Sequence, residues 1–123
     1  MIIGIGTDIQ EIKRIENILI KYDQLVIGEI YSREEWTSIF NSKTPYLKAT
    51  ILFSMKESVT KAMGTGFRGF KFSDIVVEFG DKINIKILPN NLYEYKHANF
   101  HCTFSYSESL VYTTVILERK HAW

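Results

Sequence analysis

A single cysteine, Cys102, leaves this chain of 123 residues without the means to form an internal disulfide. A reducing compartment, the cytoplasm, is therefore the expectation. Only two prolines and seven glycines punctuate the chain. There is no Pro/Gly-rich linker, low-complexity tract or internal repeat, so one domain over residues 1–123 is expected. Neither sign of charge is in excess: 15 Lys and Arg stand against 14 Asp and Glu, a net +1. That balance removes the general pull of a basic surface on nucleic acid or lipid. No apolar run reaches the ~18–20 residues of a membrane span, and no basic segment precedes the apolar start, which argues against a secretory leader. What is there, 46% hydrophobic and 24% charged residues, is ordinary globular composition. Composition bounds the class and leaves function open.

Local pattern divides the chain into early helices and late strands. Met1 to Asp8 is apolar and β-branched, interrupted by Gly4 and Gly6, and predicts a buried strand. From Ile9 the period turns helical, with Ile9, Ile12, Ile15, Ile18 and Leu19 on one face. Ser32 followed by Glu35 matches a capping box opening a helix through about Phe40. Thr44 and Pro45 predict the start of the clearest helix, which carries the apolar stripe Leu52, Met55, Val59 and Ala62 and stops at Gly64 and Gly66. Strands are expected over Ile75–Phe79, Ile83–Leu88, His101–Ser105 and Val111–Glu118, with the last hairpin turning at Ser107 to Leu110 and a short helix over Asn91 to His97. The class is α+β, an antiparallel sheet packed against a long helix.

Three polar features stand out, and each has an ordinary explanation. Asp8, at a strand end before a helix, reads as a helix N-cap. Glu57 and Lys61, at i and i+4, read as a solvated ion pair worth ~0.2–0.5 kcal/mol. Gly64-Thr65-Gly66 reads as a helix stop. Together they acquire a different logic. Two carboxylates converging from a strand and a helix suit Mg²⁺, which takes one or two protein carboxylates and fills its shell with water and phosphate oxygens. A lysine one turn beyond Glu57 suits a further phosphate oxygen, and glycines past the helix allow close approach to backbone.

Two segments carry a resemblance. Gly6-Thr7-Asp8-Ile9 and Phe53-Ser-Met-Lys56-Glu57-Ser58-Val-Thr-Lys61 stand in the order of the two motifs of the 4′-phosphopantetheinyl transferases, and Gly64-Thr-Gly66 and Ile12-Lys13-Arg14 resemble the short holo-acyl-carrier-protein-synthase branch. The resemblance spans nearly the whole chain. It implies the 4′-phosphopantetheinyl transferase fold and an enzyme that moves 4′-phosphopantetheine from coenzyme A to a serine of an apo acyl carrier protein, releasing adenosine 3′,5′-bisphosphate. It implies Asp8 and Glu57 as Mg²⁺ ligands, Glu57 and Lys61 as catalytic residues, and Lys61 as the pyrophosphate contact. Gly64, Thr65, Gly66, Phe67 and Tyr106 would contribute to the coenzyme A pocket, and Glu57 or a metal-held water would accept the serine proton. It implies Arg14, helped by Lys13 and Lys21, as a docking group for an acidic carrier protein. Finally, it implies a homotrimer with sites shared between subunits; the apolar residues of the terminal hairpin, Phe104, Tyr106, Tyr112 and Val115, supply either the interface or the monomer core.

The pattern departs from the branch at three places. Leu52 stands where an Arg is usual, Ser105-Tyr106 where a Thr-His or Ser-His pair is usual, and Asp81-Lys82-Ile83 where Gly-Lys-Pro is usual. Leu52 and Tyr106 put the grip on coenzyme A in question, and a degenerate member that binds coenzyme A or carrier protein with little transfer is the alternative. Gln10 falls where the larger branch has a metal-binding acid, so it is either a neutral oxygen ligand or an exposed residue. Fatty-acid and secondary-metabolism carriers both remain open as substrates.

Overall fold

The computed structural model describes residues 1–64, 71–88 and 98–120. In chain order the elements are β1 (Ile2–Glu11), α1 (Ile12–Lys21), α2 (Gln24–Ile30), α3 (Arg33–Phe40) and α4 (Pro45–Met63). A 3₁₀ turn (Phe72–Asp74) then leads to β2 (Ile75–Glu78), β3 (Asn84–Ile87), β4 (Ala98–Tyr106) and β5 (Leu110–Arg119). β1, β5 and β4 form an antiparallel sheet in that order, while β2 and β3 form a separate antiparallel pair. α4 packs across the three-stranded sheet.

The long helix is set by its sequence. Pro45 occupies the first turn, and Gly64 closes the last turn in the left-handed region at φ 74°, a conformation glycine adopts at little cost. Its stripe of Leu52, Met55, Val59 and Ala62 is buried and joins Ile15, Ile75, Val77, Val115 and Leu117 in the core. The capping box of α3 is present as expected: Glu35 N–H donates to Ser32 Oγ, and Ser32 N–H donates to Glu35 Oε1.

Glycine decides how β1 meets α4. A Cβ on Gly4 would stand 1.8 Å from the Ala62 carbonyl oxygen, and one on Gly6 would stand 1.9 Å from that of Ser58. Only a strand without side chains at these two positions can lie this close to the helix. Gly4, Gly6, Asp8 and Gln10 alternate along the strand and so share its helix-facing side.

Several expectations are corrected. β1 runs through Asp8 to Glu11, and α1 starts only at Ile12, so Ile9 belongs to the strand. β1 is also not buried throughout, since Ile3, Ile5 and Ile9 are exposed; α4 covers one face of the sheet, and this is the other. Because Asp8 lies inside the strand, it is no N-cap; that position belongs to Glu11. α2 went unforeseen, its Asp23 cap accepting from the amides of Leu25 and Val26. Of the two places open to the terminal-hairpin residues, Val115 takes the core and Phe104 packs against it. The expected helix over Asn91 to His97 lies outside the described residues.

Candidate active site

Asp8 reaches the site on β1, opposite Thr113 of β5. Glu57 and Lys61 reach it from successive turns of α4. Lys61 Nζ donates to the Thr7 carbonyl oxygen at 2.8 Å and lies 3.5 Å from Asp8 Oδ1. Its side chain is 53% exposed, whereas that of Asp8 is 9% exposed. An ammonium has three donors, so Lys61 keeps capacity for a ligand. Glu57 is half-buried, and its carboxyl is held above the usual carboxylate range, first by burial and then by the charge of Asp8, against the opposing pull of Lys61 and Arg14. The i,i+4 pair predicted as a surface ion pair is thus drawn into contact with β1. Lys61 pairs with Asp8, and among the described residues Glu57 feels Lys61 and Arg14 only through their charge.

Asp8 has a second contact. Gln10 Nε2 donates to Asp8 Oδ2 at 3.0 Å, and Arg14 Nη1 donates to Gln10 Oε1 at 2.6 Å. Arg14 also stands over the ring of Phe53, 6.0 Å from its centroid. The expected docking residue is therefore joined to the carboxylate cluster, which helical spacing could not reveal because Gln10 is on a strand and Arg14 on a helix.

Lys56, between Phe53 and Glu57 in the second motif, takes no part in this cluster. It is fully buried on a different flank of α4, where its ammonium donates to Glu35 Oε1 at 2.6 Å and to the carbonyls of Ile30 and Phe72 at 2.7 and 2.9 Å. Burial lowers its proton affinity while Glu35 raises it. Glu35 Oε2 in turn accepts from Val77 N–H at 2.8 Å. One buried pair thus ties α4 to α2, α3, β2 and the turn at Phe72.

The remaining sequence-predicted residues divide. Gly64 sits at the end of α4 as expected, whereas Thr65, Gly66 and Phe67 lie outside the described residues. Tyr106 is not in the carboxylate cluster of its own chain. It pairs with Val111, which pairs with Gln10, placing it two strands from β1, about 10 Å across the sheet. It is 60% exposed and stacks on Phe104, which meets Phe79 edge-on. Leu52 is core, as the helix stripe required, and lines a cleft of about 660 Å³. Lys48, one turn earlier on α4, lines the same cleft and stands over the Phe79 ring; sequence reasoning passed over it. Cys102 is partly buried among apolar neighbours, and burial pushes its thiol up to about 11, as befits a small hydrophobe. Among the described residues no three His, Cys, Asp or Glu side chains converge on one point. The site thus offers two carboxylates, a number that fits Mg²⁺ completed by water and phosphate. Among the described residues no helix is long and apolar enough to cross a membrane.

The sequence pattern of the 4′-phosphopantetheinyl transferase superfamily matches residues 4–115. The chain belongs to that superfamily. It falls in the holo-acyl-carrier-protein-synthase branch and is an enzyme of that type. It is 36% identical to the holo-[acyl-carrier-protein] synthase of Clostridium beijerinckii, over 96% of this chain and 98% of that protein. It is 35% identical to the Geobacillus enzyme of the same name, over 97% and 98%. Among solved structures, the Neisseria meningitidis synthase superposes with a TM-score of 0.86 at 31% identity, covering 97% of this chain and all of that one. The Bacillus anthracis synthase, solved in complex with CoA (3′,5′-ADP), gives 0.80 at 29% identity, over 97% and 98%.

Proposed function

We propose that the chain transfers the 4′-phosphopantetheine group of coenzyme A to a serine of an apo acyl carrier protein in the cytoplasm, releasing adenosine 3′,5′-bisphosphate. The observation that carries this is the meeting of Asp8, Glu57 and Lys61 at a half-open site. It is supported by full-length similarity to proteins named as holo-[acyl-carrier-protein] synthases.

In this reaction the serine oxygen bonds to the pantetheine-side phosphorus as the bond to the adenosine-side phosphate breaks. Lys61 would hold a pyrophosphate oxygen with its spare donor, while its bond to the Thr7 carbonyl fixes its direction. Glu57 directly, or a water held near the metal, would take the serine proton. Asp8 and Glu57 would hold Mg²⁺, which when bound neutralises charge on the phosphoryl oxygens. Gly64 to Phe67 and Tyr106 would contribute to the nucleotide pocket. Most of the rate would come from positioning and electrostatics.

We also propose a homotrimer whose neighbouring subunits complete each site. Tyr106 stands two strands from β1 and is exposed, placed to serve a neighbouring subunit's nucleotide. Moreover, the uncovered sheet face presents Ile5 and Ile9, 60% and 56% exposed, beside Tyr112. Light scattering should give the mass of three chains; a monomer at concentrations where the enzyme is fully active would refute this assembly.

Mass spectrometry of an apo carrier protein incubated with this enzyme, coenzyme A and Mg²⁺ tests the transfer. The expected product carries one added phosphopantetheine, and Asp8→Ala and Glu57→Ala remain folded while losing most turnover. An unmodified carrier protein under these conditions would sink the proposal.

A further inference from the structure

Gln10 is bonded at both ends of its amide. Arginine has donors and no acceptor, so the atom of Gln10 facing Arg14 must be Oε1. Nε2 is then the atom facing Asp8, and it donates to Oδ2 at 3.0 Å. The last torsion of an aspartate is broad and close to two-fold, so packing alone does not decide which oxygen points where. Here each oxygen has its own neighbour: Oδ2 is taken by Gln10, and Oδ1 is left 3.5 Å from Lys61. Arg14 is itself seated by the face of Phe53, a residue of α4 one turn before Glu57.

We propose that Gln10 is a positioning residue for the metal site: oriented by Arg14, it pins one oxygen of Asp8 and so presents the other to a divalent cation. This rests on the reading of Asp8 and Glu57 as the cation's ligands. It differs from a role for Gln10 as a ligand, because its oxygen is already committed to Arg14, and turning the amide toward a cation would break both bonds. Partners that orient a ligating carboxylate typically matter by 10- to 100-fold in metal affinity. Gln10 therefore belongs to the site through Asp8, and Arg14 belongs to it through Gln10.

The two roles separate in a double-mutant cycle read by metal binding. Mn²⁺ is titrated into the full-length protein in the presence of coenzyme A and without carrier protein, and bound metal is counted by electron paramagnetic resonance. Gln10→Met, neutral and similar in size, should weaken Mn²⁺ binding about 10- to 100-fold with an unchanged circular-dichroism spectrum. In an Arg14→Met background the same substitution should cost clearly less, because Gln10 has already lost what orients it. The change in net charge at Arg14 cancels in this comparison. The positioning role is overturned if Gln10→Met changes the affinity by no more than about twofold, the usual limit of independent sites. It is equally overturned if the loss is as large or larger without Arg14, as a directly ligating oxygen would give. Asp8→Ala distinguishes the underlying assignment. If the parent protein binds no Mn²⁺, or Asp8→Ala binds it as well as the parent, the metal site and the positioning role both fall. If Asp8 is required and Gln10 is not, only the positioning role falls.

Discussion

Thr113 faces Asp8 across the β1–β5 ladder, and its buried hydroxyl lies 2.8 Å from Ser54 Oγ and 2.7 Å from Ser58 Oγ on α4. It also donates to the Ser54 carbonyl oxygen at 3.0 Å. One donor and two acceptor sites are thereby filled, the full capacity of a hydroxyl. The strand that pairs with Asp8 is thus pinned to the helix that carries Glu57. Thr113→Val should cost about 1–3 kcal/mol in urea unfolding, because it strands the two serines, and should reduce transfer. Thr113→Ser, which keeps the hydroxyl, should hold both near the parent. Equal stability of the two variants would show that the hydroxyl cluster does not matter.

Gly6→Ala tests the closeness of strand and helix. The added methyl meets the Ser58 carbonyl, backbone that cannot swing aside. Overpacking of this kind typically costs 1–3 kcal/mol, and a ~1 Å displacement of a catalytic group can cost about 100-fold in rate. Gly28 is the control, since a Cβ there meets nothing within 4 Å. Gly28→Ala in α2 should leave transfer unchanged and stabilise by up to about 1 kcal/mol. Thermal melts and initial rates of the two variants decide the matter.

For the Lys56–Glu35 pair the expectation is asymmetric. Lys56→Met leaves a buried carboxylate without its cation and should destabilise by about 3–5 kcal/mol. Pairing it with Glu35→Gln should recover part of that loss, because the stranded charge is gone while an acceptor for Val77 N–H remains. Denaturant titration reads both; a double variant no more stable than Lys56→Met alone would contradict the ion-pair account.

Glu57 predicts a pH dependence with an unusual sign. Its folded-state proton affinity lies above the ordinary value of 4.5, so the native metal-free protein holds this proton more tightly than the unfolded chain does. Stability contributed by the protonated form is present below pH 4.5 and is lost as pH rises through the folded value. Glu57→Gln should therefore raise the melting temperature of the metal-free protein at neutral pH while removing transfer. A melting temperature at neutral pH equal to or below the parent's would count against an electrostatically strained Glu57.

What the sequence made legible follows the strength of local signals. Thr44-Pro45 and Gly64 bound α4 correctly, and Ser32 with Glu35 opened α3, because caps act within a turn or two of their own residues. The start of α1 was misplaced at Ile9 because a β-branched strand running into an isoleucine-rich helix leaves no break in hydrophobicity. The helix-facing side of β1 was legible only as glycine, a residue whose meaning lies in the Ala62 and Ser58 carbonyls that no strand pattern announces. At the site, spacing suggested a pair of Glu57 with Lys61; the contact of Lys61 with Asp8 depends on how β1 meets α4, which local spacing does not give. The separation of Lys56 from Glu57 onto different flanks of the helix follows from 100° per residue, yet which flank faces Glu35 depends on tertiary packing.

β1 pairs with β5 from Ile2 opposite Glu118 to Glu11 opposite Leu110, so the two ends of the chain must find each other before Asp8 has an address. Glu57 is placed by the helix that holds it, a local event, whereas Asp8 depends on long-range contacts of β1 with both β5 and α4. The site is therefore complete only when β1 has docked, since α4 by itself carries Glu57 and Lys61 without Asp8. A ligand gripping both carboxylates can bind only the completed molecule, and for that reason its presence raises the stability of the whole chain and not of the helix alone.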